Sequence, residues 1–305
     1  MDNQTSVAEF VLLEFSKIRE LQILHFYIFL VLYLAAITGN LLVISAIAFD
    51  HRLHVPMYFF LMNLALQDLG QLSVIMPKSM LNSLTNTRRI SYAGCVAQVF
   101  LFLFFAGSDF SLLTVMAYDR YIAICKPLQY EVIMNRRTCM QMIGTVWISG
   151  LLYGILHASS TFATSFCSNT VNQFFCEIPQ MLKLYCSKEY QTEMVVVPIS
   201  ALIVFGCFVF VIITYIQISV EVLRIPSVQA RKKAFSTCLP HLIVFSTFVF
   251  TVITAHLRPS SNTSSYMDLV LTIMYSTLPP MLNPLIYSMR NKEIKVALSR
   301  LFLLN

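Results

Sequence analysis

Three groups of residues could do chemistry. Asp119 and Arg120 stand side by side at the end of a long apolar run. An acid and a base adjoining where such a run leaves a membrane can hold a helix end in one arrangement and release it in another. The plainer account is an Arg120 that snorkels toward headgroups beside an unrelated acid. Asp68 and Asp109 lie inside apolar runs. A carboxyl at such depth is expensive, so it is either functional or protonated and hydrogen-bonded to a neighbour. Cys95, Cys167, Cys176 and Cys186 fall on one expected face, outside, where disulfides persist. Four cysteines allow three pairings, between which their positions do not choose. Cys125, Cys139 and Cys238 are expected near the other face as thiols, and Cys207 within a helix as packing.

The elements that position these groups follow from composition. The 305 residues are 57% hydrophobic and 12% charged, with mean hydropathy +0.70. Soluble domains carry about 25% charged residues, so much of this surface must face lipid. Runs long enough to span a bilayer lie near 24–49, 57–81, 96–124, 139–160, 194–220, 237–257 and 267–289. In hydrocarbon the backbone must satisfy its own hydrogen bonds, so each run is a helix. The expected fold is an all-α membrane protein: one seven-helix domain over 1–305, with an outer N-terminus at 1–23 and a tail at 290–305 holding a short cytoplasmic helix. No internal repeat is visible, which argues against the common transporters. A channel would need rings of like residues. An intramembrane hydrolase would need paired catalytic groups at mid-depth, which Asp68 and Asp109 could imitate. No enzyme, cofactor or nucleic-acid partner is expected.

Orientation rests on the bases. With the N-terminus outside, 13 Lys and Arg residues fall inside and 8 outside, as the positive-inside rule asks. The eight outer bases meet eight acids, so the net charge of +6 is cytoplasmic and faces anionic lipid. The tripeptides Asn3-Gln-Thr5 and Asn262-Thr-Ser264 fall outside as glycosylation acceptors, the second the weaker. No cleaved signal peptide is evident, so the first helix is expected to act as the signal anchor of a multi-pass plasma-membrane protein.

Long strings in the right order carry a family resemblance over essentially the whole chain. They are Leu53-His-Val-Pro-Met-Tyr-Phe-Phe-Leu61, Met116-Ala-Tyr-Asp-Arg-Tyr-Ile-Ala-Ile-Cys-Lys-Pro-Leu-Gln-Tyr130, Lys233-Ala-Phe-Ser-Thr-Cys-Leu-Pro-His241 and Pro279-Pro-Met-Leu-Asn-Pro-Leu-Ile-Tyr-Ser-Met-Arg-Asn291, with Gly39-Asn40 in the first helix. The chain resembles the odorant receptors, a branch of the rhodopsin-like G-protein-coupled receptors. The resemblance implies an odorant receptor that binds small, mostly neutral hydrophobic volatiles and raises cyclic AMP through a stimulatory heterotrimeric G protein. A non-olfactory chemosensory receptor of the same class is the alternative, and a small-molecule transporter a more distant one. The resemblance also implies the pairings Cys95–Cys176 and Cys167–Cys186, which would make a lid of the long loop. It assigns switching and coupling roles to Asp119, Arg120, Tyr121, Tyr215, Lys233, His241, Asn283, Pro284 and Tyr287, with Pro284 freeing a backbone carbonyl. Family architecture brings Asn40, Asp68, Asp109 and Asn283 into one inner cluster. Two carboxyls so close cannot both ionise cheaply, so sodium or a shared proton is expected between them. Two departures stand out: Pro240 replaces the family's usual Ser, and Phe248-Val-Phe-Thr251 replaces Phe-Tyr-Gly-Thr, losing a hydroxyl.

The same architecture puts a ligand pocket between the outer halves of helices three, five, six and seven. On the third helix Phe102, Leu103, Ala106, Gly107 and Phe110 recur at spacings of three and four, so they share one side. Ile199, Ile203, Thr251, Val252, His256, Ile273 and Ser276 complete the expected lining. Phe102 stands where amine receptors carry an aspartate, and Arg258 lies only at the rim. A neutral ligand of about ten heavy atoms would gain ~6 kcal/mol, which corresponds to binding in the tens of micromolar.

Overall fold

The structure is a computed structural model describing residues 7–13, 15–16, 18–186, 191–257, 265–290 and 292–303. Seven long helices form the bundle: α1 (Arg19–Phe49), α2 (Pro56–Thr85), α3 (Tyr92–Cys125), α4 (Arg136–Phe162), α5 (Gln191–Arg224), α6 (Val228–Leu257) and α7 (Ser265–Arg290). A shorter helix, α8 (Lys292–Leu303), follows. By length and composition α1 to α6 can each cross a membrane, and α7, at 26 residues, is long enough to do so.

Each helix outruns its apolar stretch by several residues, because local chemistry extends the ends. Pro56 opens α2 at a position where its missing N–H costs nothing. The Ser91 hydroxyl accepts from Gly94 N at 3.1 Å to start α3, and Asn135 Oδ1 accepts from Thr138 N at 3.0 Å to start α4. Asn86, at φ 54°, ends α2 in the left-handed conformation that asparagine tolerates. The last α2 carbonyls are not left orphaned: Arg19 reaches across from the foot of α1 and donates to Ser83 O at 2.9 Å and Leu84 O at 2.6 Å.

Apolar residues fill the core and also cover the outside of the bundle. Leu, Ile, Val and Phe cover the outside, notably Ile199, Leu202, Ile203 and Phe205 on α5, while Asn40, Gln67, Asp68, Gln71, Asp109 and Asn283 are buried within. Helices α3 and α4 lie closest together. A Cβ on Gly150 would fall 1.9 Å from Ser108 Oγ, and one on Gly154 would fall 2.9 Å from Phe100 O. Small residues permit this approach where lipid supplies no hydrophobic drive between helices. Trp147 then donates to Asn63 Oδ1 at 3.2 Å, joining α4 to α2.

One end of the bundle carries a small sheet that hydropathy did not foreshadow. Strands β1 (Glu9–Leu12), β2 (Arg89–Ser91) and β3 (Thr170–Val171) take the order β2-β1-β3. β1 pairs antiparallel with β2, Phe10 opposite Ile90, and parallel with β3, Val11 opposite Thr170. Phe10 and Leu12 bury their side chains beside Cys95 and Cys176. At the opposite end α8 buries Ile294 and Ala297 in the main core and is tied down by Arg300 to Asp50 at 3.0 Å and by Tyr58 to Glu293 at 2.6 Å.

Candidate functional site

At the sheet-bearing end the segment 173–177 of the long loop plugs the mouth of the bundle. Cys95 on α3 is joined to Cys176, and Cys167 to Cys186. Around the first disulfide the segment is bolted down by side chains from three helices. Gln98 Oε1 accepts from Cys176 N at 2.9 Å, Gln173 Nε2 donates to Thr272 Oγ1 at 2.8 Å, and the Ser79 hydroxyl reaches Phe174 O at 3.4 Å. The Tyr275 hydroxyl donates to Glu177. Glu177, one of the eight acids of the expected outer face, is only 5% exposed. Phe175 packs edge-on to Phe102, centroids 5.3 Å apart, and Phe102 also meets Tyr275 at 6.3 Å.

The expected pocket residues divide. Phe102 and Ile273 share the cluster under this plug. Leu103 and Ala106 are half-buried on α3. Phe110 faces α6, stacked on Phe245 at 6.0 Å and Phe248 at 5.8 Å. Four positions depart from expectation. Ile199 and Ile203 are 50% and 64% exposed and turn outward, while Val196 and Ser200 turn in. A slip of one residue rotates a helix position by about 100°, which reverses its face. Gly107 does not open a cavity, because a Cβ there would meet Tyr153 of α4 at 3.0 Å. Ser276 is buried toward α2: its hydroxyl donates to Thr272 O at 2.6 Å and its carbonyl accepts from Gln71 at 2.9 Å. The side chains of Thr251, Val252 and His256 lie outside the described residues, as do Arg258, Asn3 and Asn262. A small crevice does open elsewhere, beside Phe15, Gln22, Asn82 and Phe174. It is shallow and lies away from the expected lining.

Below the plug is the inner cluster. Asn283 Nδ2 donates to both Asp68 oxygens, at 3.0 and 3.1 Å. Asn40 Nδ2 donates to Ala36 O at 3.1 Å and to Pro280 O at 3.3 Å, tying α1 to α7 beside Pro284. Asp109 of α3 is buried as well. Six buried polar atoms here have no partner among the described residues: Asn40 Oδ1, both amide atoms of Gln67, Gln71 Oε1, Asp109 Oδ1 and Asn283 Oδ1. Buried polar atoms are rarely left so, and small mobile partners such as water, a proton or a cation would satisfy them. Acids and amides without basic counterparts suit a cation better than an anion.

At the far end lie Asp119 and Arg120, both buried. The Asp119 carboxylate accepts from the Tyr130 hydroxyl at 2.8 Å. Burial and the Asp119 charge hold the Tyr130 phenol well above its usual range, so it stays a donor at every physiological pH. Among the described residues Arg120 takes part in no salt bridge, and its Nε has no partner. His241 links three helices at this depth. Its Nε2 lies 2.8 Å from Leu113 O, and its Nδ1 lies 2.7 Å from the Tyr215 hydroxyl. A carbonyl only accepts, so Nε2 carries the proton and Tyr215 donates to Nδ1. Tyr121 is half-buried under Lys126, Nζ 5.7 Å from its ring centroid. Lys233 is exposed at the start of α6, and α6 runs through Pro240 without a break. The Tyr287 side chain lies outside the described residues.

A plugged mouth, a polar middle and a loosely held arginine follow one another along the bundle. The family model for olfactory receptors matches residues 29–305. The chain belongs to the olfactory receptor family. Human olfactory receptor 14I1 is 50% identical over 99% of this receptor and 97% of its own length. Human olfactory receptor 14A16 is 48% identical, with 99% and 97% covered, and human olfactory receptor 14J1 is 48% identical, with 99% and 94% covered. The receptor is thus a multi-pass membrane protein of a seven-helix family of receptors, not an enzyme. Sequence reasoning missed Glu177, Tyr130 and Ser200 as site residues. A weak signal existed for Tyr130, since it closes the quoted third-helix string.

Proposed function

We propose that the receptor sits in the plasma membrane with its N-terminus outside. There it binds small, mostly neutral hydrophobic volatiles beneath the loop plug and activates a stimulatory G protein to raise cyclic AMP. The observation that carries this reading is the state of Arg120: buried, without a salt bridge among the described residues, and beside an Asp119 already occupied by Tyr130. A cation so placed exchanges partners at small cost when α6 shifts, which is what a two-state coupling element requires. The His241–Tyr215 tie between α6 and α5 supports the same role. The 13 bases of the inner face, Lys233 among them, support docking of a G protein there. Asn3 and Asn262 are the glycosylation acceptors in this topology. The Asp68–Asp109 cluster then couples pocket to inner face, holding either sodium or a shared proton. Cyclic AMP in cells carrying the receptor, challenged with a panel of neutral volatiles, tests the reading. Arg120→Ala should abolish the response while surface receptor remains measurable, and a fully responsive variant would refute the assigned role.

A further inference from the structure

The fifth-helix wall of the ligand site can be located from contacts on either side of it. On α3, Gly107 abuts Tyr153 of α4, while Phe110 abuts Phe245 and Phe248 of α6. The stripe from Leu103 to Phe110 therefore opens between α4 and α6, onto α5. Tyr118 of α3 meets Phe210 of α5, ring centroids 6.4 Å apart. Both helices run in the same direction, so ten residues back along each brings Ser200 level with Ser108, beside Gly107. Ser200 is also the α5 residue turned inward at that level, where Ile199 and Ile203 turn out. Its hydroxyl is 2.8 Å from Nε2 of His157. His157 is 4% exposed, with the Tyr153 ring tilted against it, centroids 4.4 Å apart. It follows Gly154, one of the two glycines that clamp α4 against α3, so the imidazole is held on the most closely packed seam of the bundle.

We propose that Ser200 and His157 form the polar anchor of the ligand site and select neutral volatiles that carry one oxygen function. The inference rests on the odorant-receptor reading above and names the ligand class for it. The chemistry lies in the pair acting as a unit. If Ser200 donates to Nε2, its oxygen keeps lone pairs that accept from an alcohol. If Nε2–H donates to Ser200, the hydroxyl proton is released to donate to a ketone, aldehyde or ester. Either class is met by a shift of tautomer, with no rearrangement of α4. A hydrocarbon of the same skeleton gains nothing from the pair.

The test uses full-length receptor in cells and an eight-carbon set: a primary alcohol, a methyl ketone and the matching alkene. The alcohol and ketone should exceed the alkene in potency by about tenfold, the worth of one hydrogen bond. Ser200→Ala and His157→Phe should erase that gap while moving alkene potency less than twofold, and Ser200→Thr, which keeps the hydroxyl, should retain it. Equal losses for all three compounds, with a matching fall in surface receptor, would make the pair a structural staple and overturn the proposal. So would a gap that survives Ser200→Ala. A second measurement needs no agonist. The thiol introduced by Ser200→Cys should react with a small methanethiosulfonate applied from outside, above the parent background, and an unreactive thiol also overturns the proposal. Silence of the parent toward every volatile, with the introduced thiol reactive, would instead count against the odorant-receptor reading.

Discussion

The two ends of the bundle are fastened by different means. The sheet-bearing end is held by two disulfides, a three-stranded sheet, and hydrogen bonds from Ser79, Gln98, Thr272 and Tyr275 onto the segment 173–177. The Arg120 end is held by single side-chain contacts: Tyr130 to Asp119, Tyr215 to His241, Tyr58 to Glu293 and Arg300 to Asp50. Breaking a crosslink of the first kind releases chain entropy worth typically about 2–4 kcal/mol, whereas a single hydrogen bond contributes about 1 kcal/mol net. One end is built to keep its shape, and the other to exchange partners. The Asp50 carboxyl fits the second description. It is held below its usual range chiefly by the backbone N–H of Arg52, and its partner Arg300 is exposed, so the pairing is screened and easily given up.

The contrast can be broken most severely at the crosslinked end. Cys95→Ser should remove most surface receptor, read by antibody staining of intact cells, since the plug loses its anchor to α3. Normal surface levels and potency would show that the hydrogen bonds alone suffice. The middle of the bundle comes next. Asp68→Asn and Asp109→Asn should each depress maximal cyclic AMP several-fold while agonist binding changes little. Replacing sodium with a bulky organic cation should shift parent potency but not that of either variant. Variants that fail alongside a parent indifferent to sodium would point to a shared proton. Gly107→Leu has a different expected outcome from a pocket filler. It drives into Tyr153, so it should lower receptor yield and every agonist response together, rather than large agonists first. The smallest effect belongs to Tyr130→Phe, which frees Asp119 of one hydrogen bond. Basal cyclic AMP should rise roughly two- to fivefold, and an unchanged basal level would mean that Asp119 plays no part in holding the resting state.

The bundle itself was legible because a bilayer demands long apolar helices, and each of seven runs announced one. The phase of α5 was not. Ile199, Leu202, Ile203, Val204 and Phe205 make that helix apolar all round, so no periodicity distinguishes the inward residue, and packing against α3 and α4 settles on Ser200. The third helix was mixed: Phe102 lies under the plug and Phe110 against α6, while Gly107 turns to Tyr153 of α4. The sheet was invisible for the opposite reason: Glu9–Leu12 is too short for alternation to register, and its partners lie about 80 and 160 residues away. The burial of Glu177 was not legible because an acid in a loop ordinarily stays wet. The disulfide beside it and the Tyr275 hydroxyl help to make its burial tolerable.

The glycine seam between α3 and α4 also has a meaning for inheritance. A methyl group at position 150 has no place to go, since Ser108 Oγ and Phe104 O already occupy 1.9 and 2.6 Å from where it would stand. At Gly144 and Gly206 nothing lies within 4 Å of the same atom. A Gly150→Ala allele, the mildest coding change chemistry allows, should therefore lower the amount of folded receptor its carrier makes. The identical exchange at codon 144 or 206 meets no atom of the chain and should leave that amount unchanged.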